Sequence, residues 1–104
     1  MTTPPPLTVA FVVELVAKEE LADEVADFLA GAVELANQEA GTVVWFALRT
    51  DESTFWIVDA FPGEAARAAH LNGPIAAALL ANADRLLAAA PRILPAEVLA
   101  AKVP

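Results

Sequence analysis

The chain has 104 residues, with six Lys plus Arg against 14 Asp plus Glu and a formal net charge of −8. That length suits one domain that buries about 65% of its extended surface on folding. Cysteine is absent, which excludes disulfides, iron–sulfur clusters, thiolate metal sites and a cysteine nucleophile, and the scattered cations form no patch for nucleic acid or an anionic membrane surface.

Residues 1–6, Met-Thr-Thr-Pro-Pro-Pro, read as an extended and mobile lead-in without the positive start of a signal peptide. Residues 7–104 are expected to form the single domain. The longest weakly interrupted apolar stretch, residues 74–90, is broken by Asn82, Asp84 and Arg85 and is not a bilayer span. These features, with the lack of cysteine, point to a cytoplasmic protein.

Residues 7–17 are nearly apolar throughout and read as a central strand. Over residues 18–38 the period changes: Leu21, Val25, Phe28, Leu29, Ala32 and Ala36 form a helical stripe, with most acidic residues off it. Gly41 follows as a stop signal. Residues 41–62 carry two runs rich in β-branched and aromatic residues around a polar break, Thr-Asp-Glu-Ser, which signals a hairpin.

Alternation along that hairpin puts Val43, Trp45, Ala47, Arg49, Phe55, Ile57, Asp59 and Phe61 on one face. Val44, Phe46, Leu48, Trp56, Val58 and Ala60 fall on the other. Both faces are mostly apolar, so both need cover. A buried Trp removes roughly 150–250 Å² from water, about 4–6 kcal/mol as an upper bound. Helices of the same chain can cover one face. The face with Val44, Phe46, Trp56 and Val58 is therefore expected to pack on a second copy of the chain.

Pro62-Gly63 ends the hairpin, residues 64–71 form a short helix, and Asn72-Gly73-Pro74 interrupts it. A second helical run covers residues 75–90 up to Pro91. Residues 97–103 read as a fourth strand near an edge. The order β-α-β-β-α-β predicts an α+β, ferredoxin-like antiparallel sheet with its helices on one face.

Inventory narrows the chemistry. Glycine occurs only at 31, 41, 63 and 73, so no phosphate-cradling loop or dinucleotide fingerprint exists. His70 is the only histidine and Ser53 the only serine, so neither a polyhistidine metal site nor a Ser-His triad is supported. The polar residues left for the interior are Arg49, Asp59 and His70, with Trp45 and Phe61 as apolar walls. A buried Asp59 must be paired or must shift its pKa. It is either ion-paired to Arg49 or bonded to a backbone amide, or it is the carboxylate at the base of a pocket. His70 is either a helix-terminal surface residue or a general base.

The series Gly41, Trp45, Arg49, then Thr-Phe-Trp-Ile-Val-Asp-Ala-Phe at 54–61, then Glu-Ala-Ala-Arg-Ala-Ala-His-Leu-Asn-Gly-Pro at 64–74, resembles the antibiotic biosynthesis monooxygenase domain of the dimeric α/β-barrel superfamily. The resemblance covers nearly the whole chain. It implies a homodimer, a cavity between each sheet and its helices, and oxygenation of a planar, electron-rich aromatic (a quinol or polyketide) with no metal or flavin cofactor. It places His70 as base with Asp59 second, and Trp45, Arg49 and Phe61 as substrate-binding residues. Asp59 stands where the family usually has Glu, Phe61 where it often has Trp, and Ile75 in place of a second His. The first strand also lacks the Asn of haem-degrading relatives, so haem degradation is not implied. A non-catalytic ligand-binding or stress-related dimer, and an isomerase- or decarboxylase-like relative on the same fold, are the alternatives.

Overall fold

The computed structural model describes residues 6–104, so the expected lead-in over residues 1–6 falls almost wholly outside the described residues. Four strands form one antiparallel sheet: β1 (Val9–Val16), β2 (Val44–Arg49), β3 (Thr54–Phe61) and β4 (Arg92–Glu97). Their order is β2-β3-β1-β4. Three helices accompany them: α1 (Ala22–Asn37), α2 (Glu64–Leu71) and α3 (Pro74–Leu86). The α+β, ferredoxin-like architecture expected from the sequence is the one observed. The helical run divides into two helices at Gly73-Pro74, where Pro74 opens α3 in the first turn and its missing N–H costs no helical bond.

The registers assign the faces. Cross-strand rows on the helix side read Trp45–Asp59–Phe11–Pro95 and Ala47–Ile57–Val13–Ile93. Phe55, Phe61, Leu15, Leu29 and Val25 are fully buried there. A short 3₁₀ turn, Glu19–Leu21, leads into α1, whose buried residues are Ala22, Val25, Leu29, Ala32 and Ala36. That is the predicted stripe with Leu21 and Phe28 left at its margin.

On the opposite face the rows read Phe46–Val58–Val12–Leu94 and Leu48–Trp56–Glu14–Arg92. No element among the described residues covers this face, and Phe46, Leu48 and Leu94 are exposed.

Three boundaries differ from expectation. The fourth strand is Arg92–Glu97, not residues 97–103. Pro95 lies within it, but β4 is the outermost strand and pairs with β1 alone, so its ring costs no bond to a further neighbour. Pairing ends with Val98, which donates to Thr8 O at 3.0 Å, and Leu99 is exposed.

The last helix stops at Leu86, well before Pro91. Leu87 is extended and bridges Ala17, while Ala88 N donates to Val16 O at 2.8 Å. A tertiary clamp on the end of β1, rather than the proline, terminates α3.

Gly41 is not the helix stop either. α1 ends at Asn37 without any positive-φ residue. Gly41 instead lets the α1–β2 loop lie against α2: a Cβ on Gly41 would stand 2.7 Å from Ala66 Cβ.

Candidate functional site

Asp59 occupies the middle of β3 on the helix side and is 1% exposed. A carboxylate there must be satisfied by neighbours. Its Oδ1 accepts the Phe11 N–H at 3.1 Å, and its Oδ2 lies 3.0 Å from His70 Nε2. The second contact has ion-pair distance but not hydrogen-bond alignment, so Oδ2 has no hydrogen-bond partner. The ion pair of Asp59 with Arg49 weighed from the sequence does not form.

His70 comes from the last turn of α2 and is buried at 8% exposure, not displayed on the surface. Its ring lies 5.3 Å from that of Phe61. Its other nitrogen, Nδ1, lies 2.5 Å from Glu39 Oε1. Thr42 Oγ1 donates to the same Glu39 oxygen at 2.7 Å. One imidazole is thus held between two carboxylates from different elements. Burial pulls the His70 pKa down, but Asp59 and Glu39 outweigh it, and the net displacement is upward from the ordinary 6.5.

Three buried polar atoms among the described residues lack hydrogen-bond partners: Glu39 Oε2, Trp45 Nε1 and Asp59 Oδ2. Trp45 is the register partner of Asp59 on the same face. All three atoms therefore belong to residues of this one sector. Native proteins leave few such groups.

A cleft of 230 Å³ opens beside them, lined by Glu39, Thr42, Ala66, Ala69, His70 and Pro74 among others. It lies between the α1–β2 loop and the α2–α3 corner. Between sheet and helices, where a cavity was expected, a 130 Å³ hollow beneath α1 reaches Arg49 and Phe55.

His70, Asp59, Phe61 and Trp45 are thus brought together. Arg49 is not. Its guanidinium bonds Glu52 O at 2.7 Å and Asp23 at 3.3 Å, and lies 5.0 Å over the Phe55 ring.

Sequence reasoning did not single out Glu39 or Thr42. The available signal was Gly41, two residues beyond Glu39, whose missing side chain admits the loop to α2. Among the described residues no group of three or more His, Asp or Glu is arranged to hold a metal ion. Glu39 and Asp59 flank the ring on opposite sides and do not converge. No helix among the described residues is long and apolar enough to cross a membrane.

No family model matches the sequence, and no curated protein does. Solved structures do. A protein of unknown function from Nitrosomonas europaea is 52% identical, with 97% of this chain and 98% of that one covered and a TM-score of 0.94. A Pseudomonas aeruginosa protein is 19% identical, with 94% and 100% covered and a TM-score of 0.77. An antibiotic biosynthesis monooxygenase is 16% identical, with 88% and 99% covered and a TM-score of 0.77. The last two share the fold. At 52% identity over nearly both full lengths, the chain belongs to the same family as the Nitrosomonas europaea protein of unknown function.

Proposed function

We propose that the chain is an oxygenase of the antibiotic biosynthesis monooxygenase type, acting on a small, planar, electron-rich hydroxyaromatic in the cleft beside His70. The supporting observation is the 230 Å³ cleft lined by Glu39 and His70, with Asp59 against the other ring nitrogen and Glu39 Oε2 and Asp59 Oδ2 unpartnered. Pockets for drug-sized ligands run to roughly 300–1,000 Å³, so this space suits a single ring better than a polyketide.

The chemistry follows from charge. A ring hydroxyl or activated CH₂ gives up a proton to a carboxylate of the array, and the resulting anion reduces O₂. A ring CH₂ that becomes a carbonyl takes one oxygen atom, while the other leaves as water. The protein supplies proton handling and a largely apolar wall, and the anion itself is the reductant, with no metal or flavin assigned.

We also infer a homodimer through the face bearing Val44, Phe46, Trp56 and Val58. The apolar row Phe46–Val58–Val12–Leu94 supports this, because an exposed patch of that kind seldom persists on a monomer. A cytoplasmic location fits the absence of cysteine.

Incubation with a panel of monocyclic quinols, with and without O₂, tests the reading. O₂-dependent turnover that disappears in His70→Ala is expected. Turnover independent of O₂ or unaffected by His70→Ala would defeat it. The competing reading is a non-catalytic binder, favoured by the engagement of both His70 nitrogens with carboxylates. Binding of the same quinols without turnover would establish that alternative.

A further inference from the structure

We propose that Glu39 is a positioning and specificity-determining residue: with Asp59 it clamps His70 as an imidazolium, giving the cleft a net negative charge that selects an uncharged ring over its carboxylated counterpart. The choice of ring rests on the oxygenation reading. The state of His70 does not.

The contacts at the two ring nitrogens are short. Glu39 Oε1 is 2.5 Å from Nδ1 and Asp59 Oδ2 is 3.0 Å from Nε2. A neutral imidazole has one N–H and one lone pair. It would set that lone pair against a carboxylate oxygen on one side or the other. An imidazolium bonds Glu39 through Nδ1–H and is charge-paired with Asp59 at Nε2. Thr42 Oγ1 and the Phe11 N–H both donate to the carboxylates, so acceptor oxygens face the ring.

Among the described residues no second cation is paired with the carboxylates at the ring. On α2, one turn before His70, Arg67 turns away to Ala10 O at 3.2 Å and to Glu64. Arg49 is engaged with Asp23 at the far end of β2. β3 contributes Asp59 and the α1–β2 loop contributes Glu39, and neither β1 nor α3 sets a charged side chain against the ring. Two carboxylates around one cation leave one negative charge. The upward displacement of the His70 pKa agrees with this arrangement.

Glycines at 41 and 73 make the clamp possible. A Cβ on Gly41 would meet Ala66 Cβ at 2.7 Å, and one on Gly73 would stand 3.1 Å from Glu39 Oε2. The first would force the loop away from α2, and the second would crowd the Glu39 carboxylate.

His70 is the only histidine, so its ring can be titrated by NMR in the full chain without assignment ambiguity. The wild-type ring is expected to remain protonated through pH 7, and the midpoint to move to lower pH in Glu39→Gln, with Glu39→Ala as the second variant. A ring that is neutral at pH 7, or a midpoint indifferent to both variants, would overturn the proposal. Binding of hydroquinone and of 4-hydroxybenzoate supplies the selectivity readout. Wild type is expected to prefer hydroquinone, and Glu39→Gln to narrow that preference; an unchanged preference would count against the charge argument. If neither ring binds, the oxygenation reading fails, while the titration still decides the state of His70.

Discussion

Asp59 and Glu39 approach one imidazole from opposite sides, and removing the ring would leave the two carboxylates facing each other with no cation between them. Breaking a buried ion pair by deleting one partner costs about 3–5 kcal/mol. His70→Ala is expected to lose stability on that order in urea denaturation, as well as activity. The same contacts couple stability to pH. The folded ring binds its proton more tightly than a histidine in the unfolded chain, whose pKa lies near 6.5. This contribution is fully present below about 6.5 and is lost as pH rises through the higher folded value. Melting temperatures across the neutral and alkaline range are expected to fall, and to fall less steeply in Glu39→Gln.

Among the elements, the α1–β2 loop decides whether the site exists, because it delivers Glu39 to α2. Gly41→Ala would put a Cβ 2.7 Å from Ala66 Cβ, and neither atom can swing aside. Overpacking of this kind costs about 1–3 kcal/mol. Gly31 is the contrasting case. It lies in the exposed part of α1, where an added Cβ would meet nothing within 4 Å, so Gly31→Ala is expected to raise stability by about 0.5–1 kcal/mol through helix propensity. Chemical denaturation of the two variants side by side checks both signs. β4 shows how neighbours override composition. Pro95 is excluded from a central strand and tolerated at this edge, and sequence order alone does not reveal which strand lies outermost.

Taken as a whole, the molecule is a sheet covered on one face among its described residues. Its helices cover one face of the sheet, and the other carries Phe46, Leu48 and Leu94 in the open. Phe46→Glu places a charge at the edge of the apolar row and is expected to convert a sedimenting dimer into a monomer. Wild type sedimenting as a monomer would remove the proposed interface outright.

Local patterning was enough to specify the element order, the two faces of the hairpin and the inward side of Asp59, while it left His70 open between surface and interior and wrongly set Arg49 inside. What it specified follows from short-range periodicity and the cost of burying a charge, which one segment can report alone. Folding in three dimensions settled the rest: Asp59 pairs with His70 and not Arg49, α3 ends on β1, and β4 begins at Arg92. Glu39 entered the site in the same way, since a loop carboxylate acquires a partner through the close approach of two backbones distant in the chain. Periodicity carries no record of such an approach; the missing Cβ atoms of Gly41 and Gly73 are its traces in the sequence.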